Sequence, residues 1–130
     1  MILMKRIVIA CLVAFVALSA FTCNKKSTDT GVYKGKLVRK GICMNYTISV
    51  IGGNIDTSKV VAQWTDPQTN TSFQHAFRLE SVCNFPSDIN EGDEFSFVID
   101  NNASIECGVC LAYYPTPHKG LRIKVVNNSN

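Results

Sequence analysis

The chain is poor in the residues that most often carry chemistry: it has two histidines and one tryptophan in 130 residues. His75 and His118 are the only imidazoles, and neither has a second histidine or a carboxylate beside it at metal-ligand spacing. No Gly-x-Ser-x-Gly elbow, no Gly-rich phosphate loop and no His-Glu-x-x-His run occurs. Glu91, Asp93 and Glu94 cluster in a turn but lack the spacing of a calcium loop. These absences leave no catalytic constellation, so the chain is expected to be neither an enzyme nor a cofactor protein. Helical periodicity is also missing beyond residue 23, which turns attention to strands.

What the chain has in excess stands at its start. Lys5 and Arg6 precede Ile7 to Thr22, sixteen residues without a charge, and polar Asn24-Lys25-Lys26-Ser27 follows Cys23. A basic n-region and a short apolar run make a secretory leader, since a spanning helix needs about 20 apolar residues. Thr22-Cys23-Asn24-Lys25-Lys26 resembles the lipobox of bacterial lipoproteins in its looser Bacteroidota-like form, with a hydroxyl residue before the cysteine and lysine soon after. The resemblance implies a signal peptide over 1-22, a lipidated Cys23, and an exported protein held on a bacterial membrane, at its periplasmic face or the cell surface. The competing reading is ordinary cleavage after Ala20, which would leave five cysteines; lipidation of Cys23 leaves Cys43, Cys83, Cys107 and Cys110, an even set for an oxidising compartment.

Removal of the leader takes Lys5 and Arg6 from thirteen basic residues, leaving eleven against ten acidic ones. A near-neutral exported domain does not suit nucleic acid, although Tyr33, Lys34, Lys36, Arg39 and Lys40 offer a basic and aromatic mix. Residues 23-30 form the lipidated cysteine and a polar tether, and 31-127 a single domain. The Asn-x-Ser/Thr sequons at Asn45, Asn70, Asn102 and Asn127 carry no meaning in a bacterial host.

From Val32 the apolar period is two. Tyr33, Gly35 and Leu37 share one face; Ile42, Met44, Tyr46, Ile48 and Val50 share the next, and Gly41 between them predicts a bend within one long coiled strand. Lys59 to Trp64 and Ser72 to Leu79 form a hairpin about Asp66-Pro67-Gln68-Thr69-Asn70, with His75 on the stripe of Phe73, Phe77 and Leu79. Ser81 to Glu94 holds at most one or two helical turns. Phe95 to Asp100 and Leu121 to Val125 are strands, and Ile105 to Tyr113 contains the close cysteine pair. The expected fold is all-β: a small OB-like β-barrel of about six strands with one short helical turn, the alternative being an immunoglobulin-like β-sandwich, since Trp64 falls between Cys43 and Cys83.

The sharpest chemical motif is Cys107-Gly108-Val109-Cys110. A redox Cys-x-x-C needs a helix starting at the motif, and Pro115 and Pro117 follow instead; a zinc site needs a second close pair, and Cys43 and Cys83 are not one. Two structural disulfides are favoured, in one of three connectivities. Residues three apart on an extended strand are separated by about 10 Å, beyond disulfide reach, so a local bridge needs a tight turn at Gly108 and the two crossed arrangements are preferred.

Tyr113, Tyr114, Pro115, Pro117 and His118 are the candidate binding loop, with a stiff covering loop as the plain alternative. The expectation is a lipid-anchored envelope protein acting as a non-catalytic binding or structural module. Its partners would be the membrane, through the anchor, and an envelope protein, peptide or glycan. A thiol redox or metal-handling protein using Cys107 and Cys110 is the other class.

Overall fold

The computed structural model describes residues 31–126. The leader, Cys23, the tether and the last residues of the chain lie outside the described residues.

β1 (Val32–Lys40) turns Tyr33, Gly35 and Leu37 inward as the alternation requires, and irregularities after Lys34 and Leu37 bury Val38 as well. Gly35 is dictated by packing. A Cβ there would stand 3.0 Å from the Phe97 ring and 3.2 Å from Ile48, inside normal contact distance. The strand does not continue through Gly41. It stops at Lys40, and Gly41 to Asn45 form a closed turn: Gly41 N–H donates to the Asn45 carbonyl at 3.2 Å, and the Asn45 side chain donates to the Ile42 carbonyl at 2.7 Å. Cys43 and Met44 both take left-handed φ, 54° and 58°. The expected single coiled strand is therefore a hairpin, and Ile42 and Met44 leave the apolar face for the surface.

β2 (Tyr46–Gly52) runs back antiparallel to β1, and β3 (Val61–Asp66) and β4 (Thr71–Leu79) form the expected hairpin. Within β4, His75 takes φ 47° and is exposed, because this kink breaks the stripe on which the sequence placed it. Ala76 and Phe77 are both fully buried beyond the kink. A single 3-10 turn, Val82–Asn84, occupies the connection to β5 (Glu94–Ile99). Residues 101–119 carry no strand; β6 (Gly120–Leu121) and β7 (Ile123–Val126) complete the seven.

All seven strands belong to one sheet, ordered β3-β4-β2-β1-β5-β7, with β6 pairing parallel to β4. A sandwich would require two packed sheets, so that alternative is not what the chain adopts. The core cluster buries Leu37, Ile48, Phe77 and Phe97 completely, each worth about 1.5–3 kcal/mol in area removed from water. Phe85 packs edge-on against Phe95 at 5.4 Å, bringing the helical connection onto the core. Ser81 fixes it there, accepting from Ile123 N–H at 2.9 Å and donating to the Ile123 carbonyl at 2.8 Å. Among the described residues no helix is long and apolar enough to cross a membrane.

Candidate binding surface

Four cysteines decide where the surface forms. Cys43 bonds Cys110 and Cys83 bonds Cys107, one of the two crossed arrangements, with Cα separations of 5.0 and 5.7 Å. Segment 101–119 has no ladder of its own, so these bridges are the covalent part of what holds it. The rest is polar: Asn45 Nδ2 donates to the Ala112 carbonyl at 3.0 Å, and Lys119 Nζ to the Val60 carbonyl at 2.9 Å. The pairing is consistent with an extracytoplasmic protein.

Because Cys43 is joined to Cys110, their neighbours are brought together: Ile42 and Met44 on one side, Val109 and Leu111 on the other. Leu111 is 99% exposed, Tyr113 78% and Ile42 59%. Six of the eight exposed large apolar side chains among the described residues are Ile42, Met44, Ile105, Val109, Leu111 and Tyr113. Such clustering departs from the scattered apolar exposure of an ordinary surface. Beside it lies a shallow groove of about 410 Å³, lined by Met44, Leu79, Ile105 and Val109 with Arg78 and Arg122 among its polar residues.

The five loop residues proposed from the sequence do not form one exposed surface. Tyr113 and His118 are exposed, Tyr114 and Pro115 are half-buried, and Pro117 is fully buried. Tyr114 is turned onto the body of the protein, where a Cβ on Gly41 would meet its ring at 2.9 Å. Its phenol donates to Asp66 Oδ2 at 3.0 Å. The exposed aliphatic residues on either side of Cys110 were missed by the sequence reading. Only the partner of Cys110 reveals that they lie near Ile42 and Met44.

Asp66 is the second feature that sequence reasoning missed. In the sequence it is one residue of the turn cluster Asp66 to Asn70, yet it is fully buried and ion-paired to Arg39 Nε. It also accepts the Gln68 amide at 2.9 Å and the Thr69 hydroxyl at 3.2 Å. Burial opposes its ionisation, but the bonds from Arg39, Gln68, Tyr114 and Thr69 outweigh that and hold the carboxyl below the usual range. For the Tyr114 phenol, burial and then the Asp66 carboxylate push in one direction, upward. Arg39 continues the network to Glu91 at 2.8 Å and lies 5.1 Å from the centre of the Phe73 ring, which stacks on Trp64. Thus β1, the β3–β4 turn, the connection before β5 and the loop meet at one carboxylate. The Asx bond from Asp66 to Gln68 was legible in Asp-Pro-Gln-Thr; the reach to Arg39 and Tyr114 was not.

All four Asp66 partners donate to it, and the described cysteines are all bonded. Tyr33 is buried against Phe97, so it is not available on the basic face of β1. Of the acids clustered in the turn, Glu91 is bound by Arg39 and by the Lys40 amide at 2.9 Å, and Glu94 pairs with Lys34 at 2.6 Å. Among the described residues no group of three or more His, Cys, Asp or Glu side chains is placed to hold a metal ion. No family model, no curated protein and no solved structure matches the chain.

Proposed function

We propose that the chain is an exported, lipid-anchored module of a bacterial cell envelope that binds a protein or peptide through its disulfide-braced apolar loop. The observation that carries this reading is the near-complete exposure of Leu111 beside a covalent staple. An aliphatic side chain held in water on a braced loop is pre-organised for an apolar contact, which lowers the ordering cost of binding. A glycan would be better served by broad exposed aromatic faces, and Tyr113 is the one aromatic residue widely exposed among those described.

The proposed scaffold is an OB-type barrel. It is supported by β6 and β7, which only Arg122 separates: one pairs with β4 and the other with β5, so nearly continuous chain reaches both flanks of the sheet. The anchor comes from the lipobox-like Thr22-Cys23-Asn24 and from the even cysteine set that lipidation leaves. The tether would enter at Val32, and the Cys43 staple follows the opposite end of β1. Nine residues at about 3.3 Å each separate these ends by up to 30 Å along the strand. In an anchored protein the loop is then remote from its own point of attachment, which favours a partner over the anchoring bilayer.

Two measurements test the reading. Intact mass of the membrane-extracted protein should show acylation at Cys23, lost in Cys23→Ala; an unmodified Cys23 would end the anchor. A photoreactive residue at 111 should give a discrete protein adduct in cells, while the same probe at exposed Lys59 gives none. Equal crosslinking from both positions would end the loop assignment.

A further inference from the structure

We infer that Cys107 and Cys110 form an internal exchange pair, so that reduction of either native bridge converges on one Cys107–Cys110 disulfide and frees the apolar loop from the sheet. The regulatory consequence rests on the binding role proposed for the loop; the exchange itself rests only on the pairing. Each cysteine of the Cys-x-x-C is bonded to a different distant residue. A thiolate released on one of them is therefore three residues from a disulfide sulfur on the other.

The chemistry balances for a dithiol reductant, the class to which envelope thiol–disulfide oxidoreductases belong. A reductant thiolate attacks Cys43 Sγ, forming a mixed disulfide at Cys43 and expelling the Cys110 thiolate. Cys110 attacks Cys107 Sγ, forming Cys107–Cys110 and expelling the Cys83 thiolate. The second reductant thiol resolves the mixed disulfide, leaving Cys43 and Cys83 as thiols and the reductant as a disulfide. Two electrons enter, and two protein disulfides become one. Reduction of Cys83–Cys107 first gives the same product, with Cys107 attacking Cys110.

Three features of the structure suit this sequence. Cys107 and Cys110 are exposed while Cys43 and Cys83 are half-buried, so each bridge presents one exposed sulfur to a reductant. The new bridge needs a tight turn at Gly108, where nothing lies within 4 Å of a Cβ position and no ladder fixes the backbone. Opening the first bridge also releases the left-handed Cys43 and Met44 from the staple that over-determines them. The core contains no cysteine, so the sheet survives while segment 101–119 loses both covalent ties.

The full chain is treated with one equivalent of dithiothreitol under native conditions, quenched, alkylated and mapped by mass spectrometry. The expected product carries alkyl groups at Cys43 and Cys83 and an intact Cys107–Cys110 bond. Limited proteolysis of that product should cut within 104–112, where the oxidised protein resists, and hydrogen exchange should stay slow in β1, β2 and β5. Alkylation at Cys43 and Cys110 with Cys83–Cys107 intact, or all four cysteines modified together, overturns the exchange. Equal cleavage of both forms within 104–112 overturns the release. The double variant Cys43→Ser with Cys83→Ser should form the Cys107–Cys110 bond on its own; free thiols in a folded variant count against the pair. If the exchange occurs but a probe at 111 crosslinks to nothing even in the oxidised protein, the binding role fails and the exchange stands.

Discussion

Asp66→Asn is the most informative perturbation of the fold. The carboxylate is fully buried and its guanidinium partner is only 15% exposed, so solvent screens the pair little. Asparagine keeps the shape and one acceptor for the Gln68 amide, but it removes the charge facing Arg39 and leaves that cation with Glu91 as its one carboxylate partner. Breaking a buried pair from one side costs about 3–5 kcal/mol, and the retained hydrogen bond places this change near 3. Against a domain stability of about 5–15 kcal/mol, that is a large share. With a urea slope of about 1.5 kcal/mol/M, the unfolding midpoint should fall by about 2 M. The pH dependence carries an independent sign. The folded carboxyl is held below its usual value, so its contribution is complete above about pH 4, the unfolded value, and is lost as pH falls through the lower folded one. The gap between wild type and variant should thus be constant from pH 5 to 7 and close under acid. A midpoint shift below about 0.3 M, or a gap that does not narrow below pH 4, would refute the assignment of Asp66 as the centre of the network.

Tyr114→Phe removes the phenol that ties the loop to Asp66 and should cost about 1 kcal/mol at neutral pH in urea unfolding. The phenol is raised in the fold, so its contribution holds below about pH 10 and disappears as pH rises through the folded value; the variant should lack that alkaline loss. The closed loops span 67 and 24 residues, so chain entropy predicts about 4 kcal/mol for removing Cys43–Cys110 and about 3 for Cys83–Cys107. Paired alanine variants, compared by urea midpoint, should keep that order. Thr47→Val should stabilise by about 1 kcal/mol. The Thr47 hydroxyl is buried without a hydrogen-bond partner, and valine keeps the branched shape while removing the stranded group; a lower denaturation temperature would show that the hydroxyl is satisfied in solution.

The alternating strands were legible in the sequence because a sheet with one buried face writes its period into the chain. Tyr33, Gly35 and Leu37 on β1 and Ile48 and Val50 on β2 are buried as their spacing demands. Legibility failed where the backbone leaves the ordinary region. At Cys43, Met44 and His75 positive φ turns a continuing pattern into a reversal or a kink; cysteine and methionine do not advertise it, and histidine does so only weakly. Pro117 was read as a loop residue because proline marks loops; it is in the loop and also fully buried, a matter of what covers it. The preference for crossed cysteine pairing assumed an extended strand through Cys107 to Cys110, which is in a loop without a strand; which crossing was made depends on where β4 and the β1–β2 turn end in space.

The candidate surface and the buried carboxylate are two consequences of one topological problem. The run from Ile99 to Gly120 leaves the end of β5 and must return to the edge of β4 without a ladder to follow. A backbone of that length pays its ordering cost with few main-chain bonds, so the sequence supplies other ties: two disulfides at its middle, the Tyr114 phenol on Asp66 after them, and Lys119 on Val60 at its end. Apart from Arg122 on the Asn101 carbonyl at 3.1 Å, the polar ties to the rest of the protein lie on the C-terminal side of Cys110, and the exposed aliphatic residues lie around the cysteines. Relaxing the disulfides therefore frees the apolar part first while Tyr114 and Pro117 keep the return path seated. A loop whose anchoring is divided in this way can change its presentation of Leu111 without unfolding the sheet beneath it.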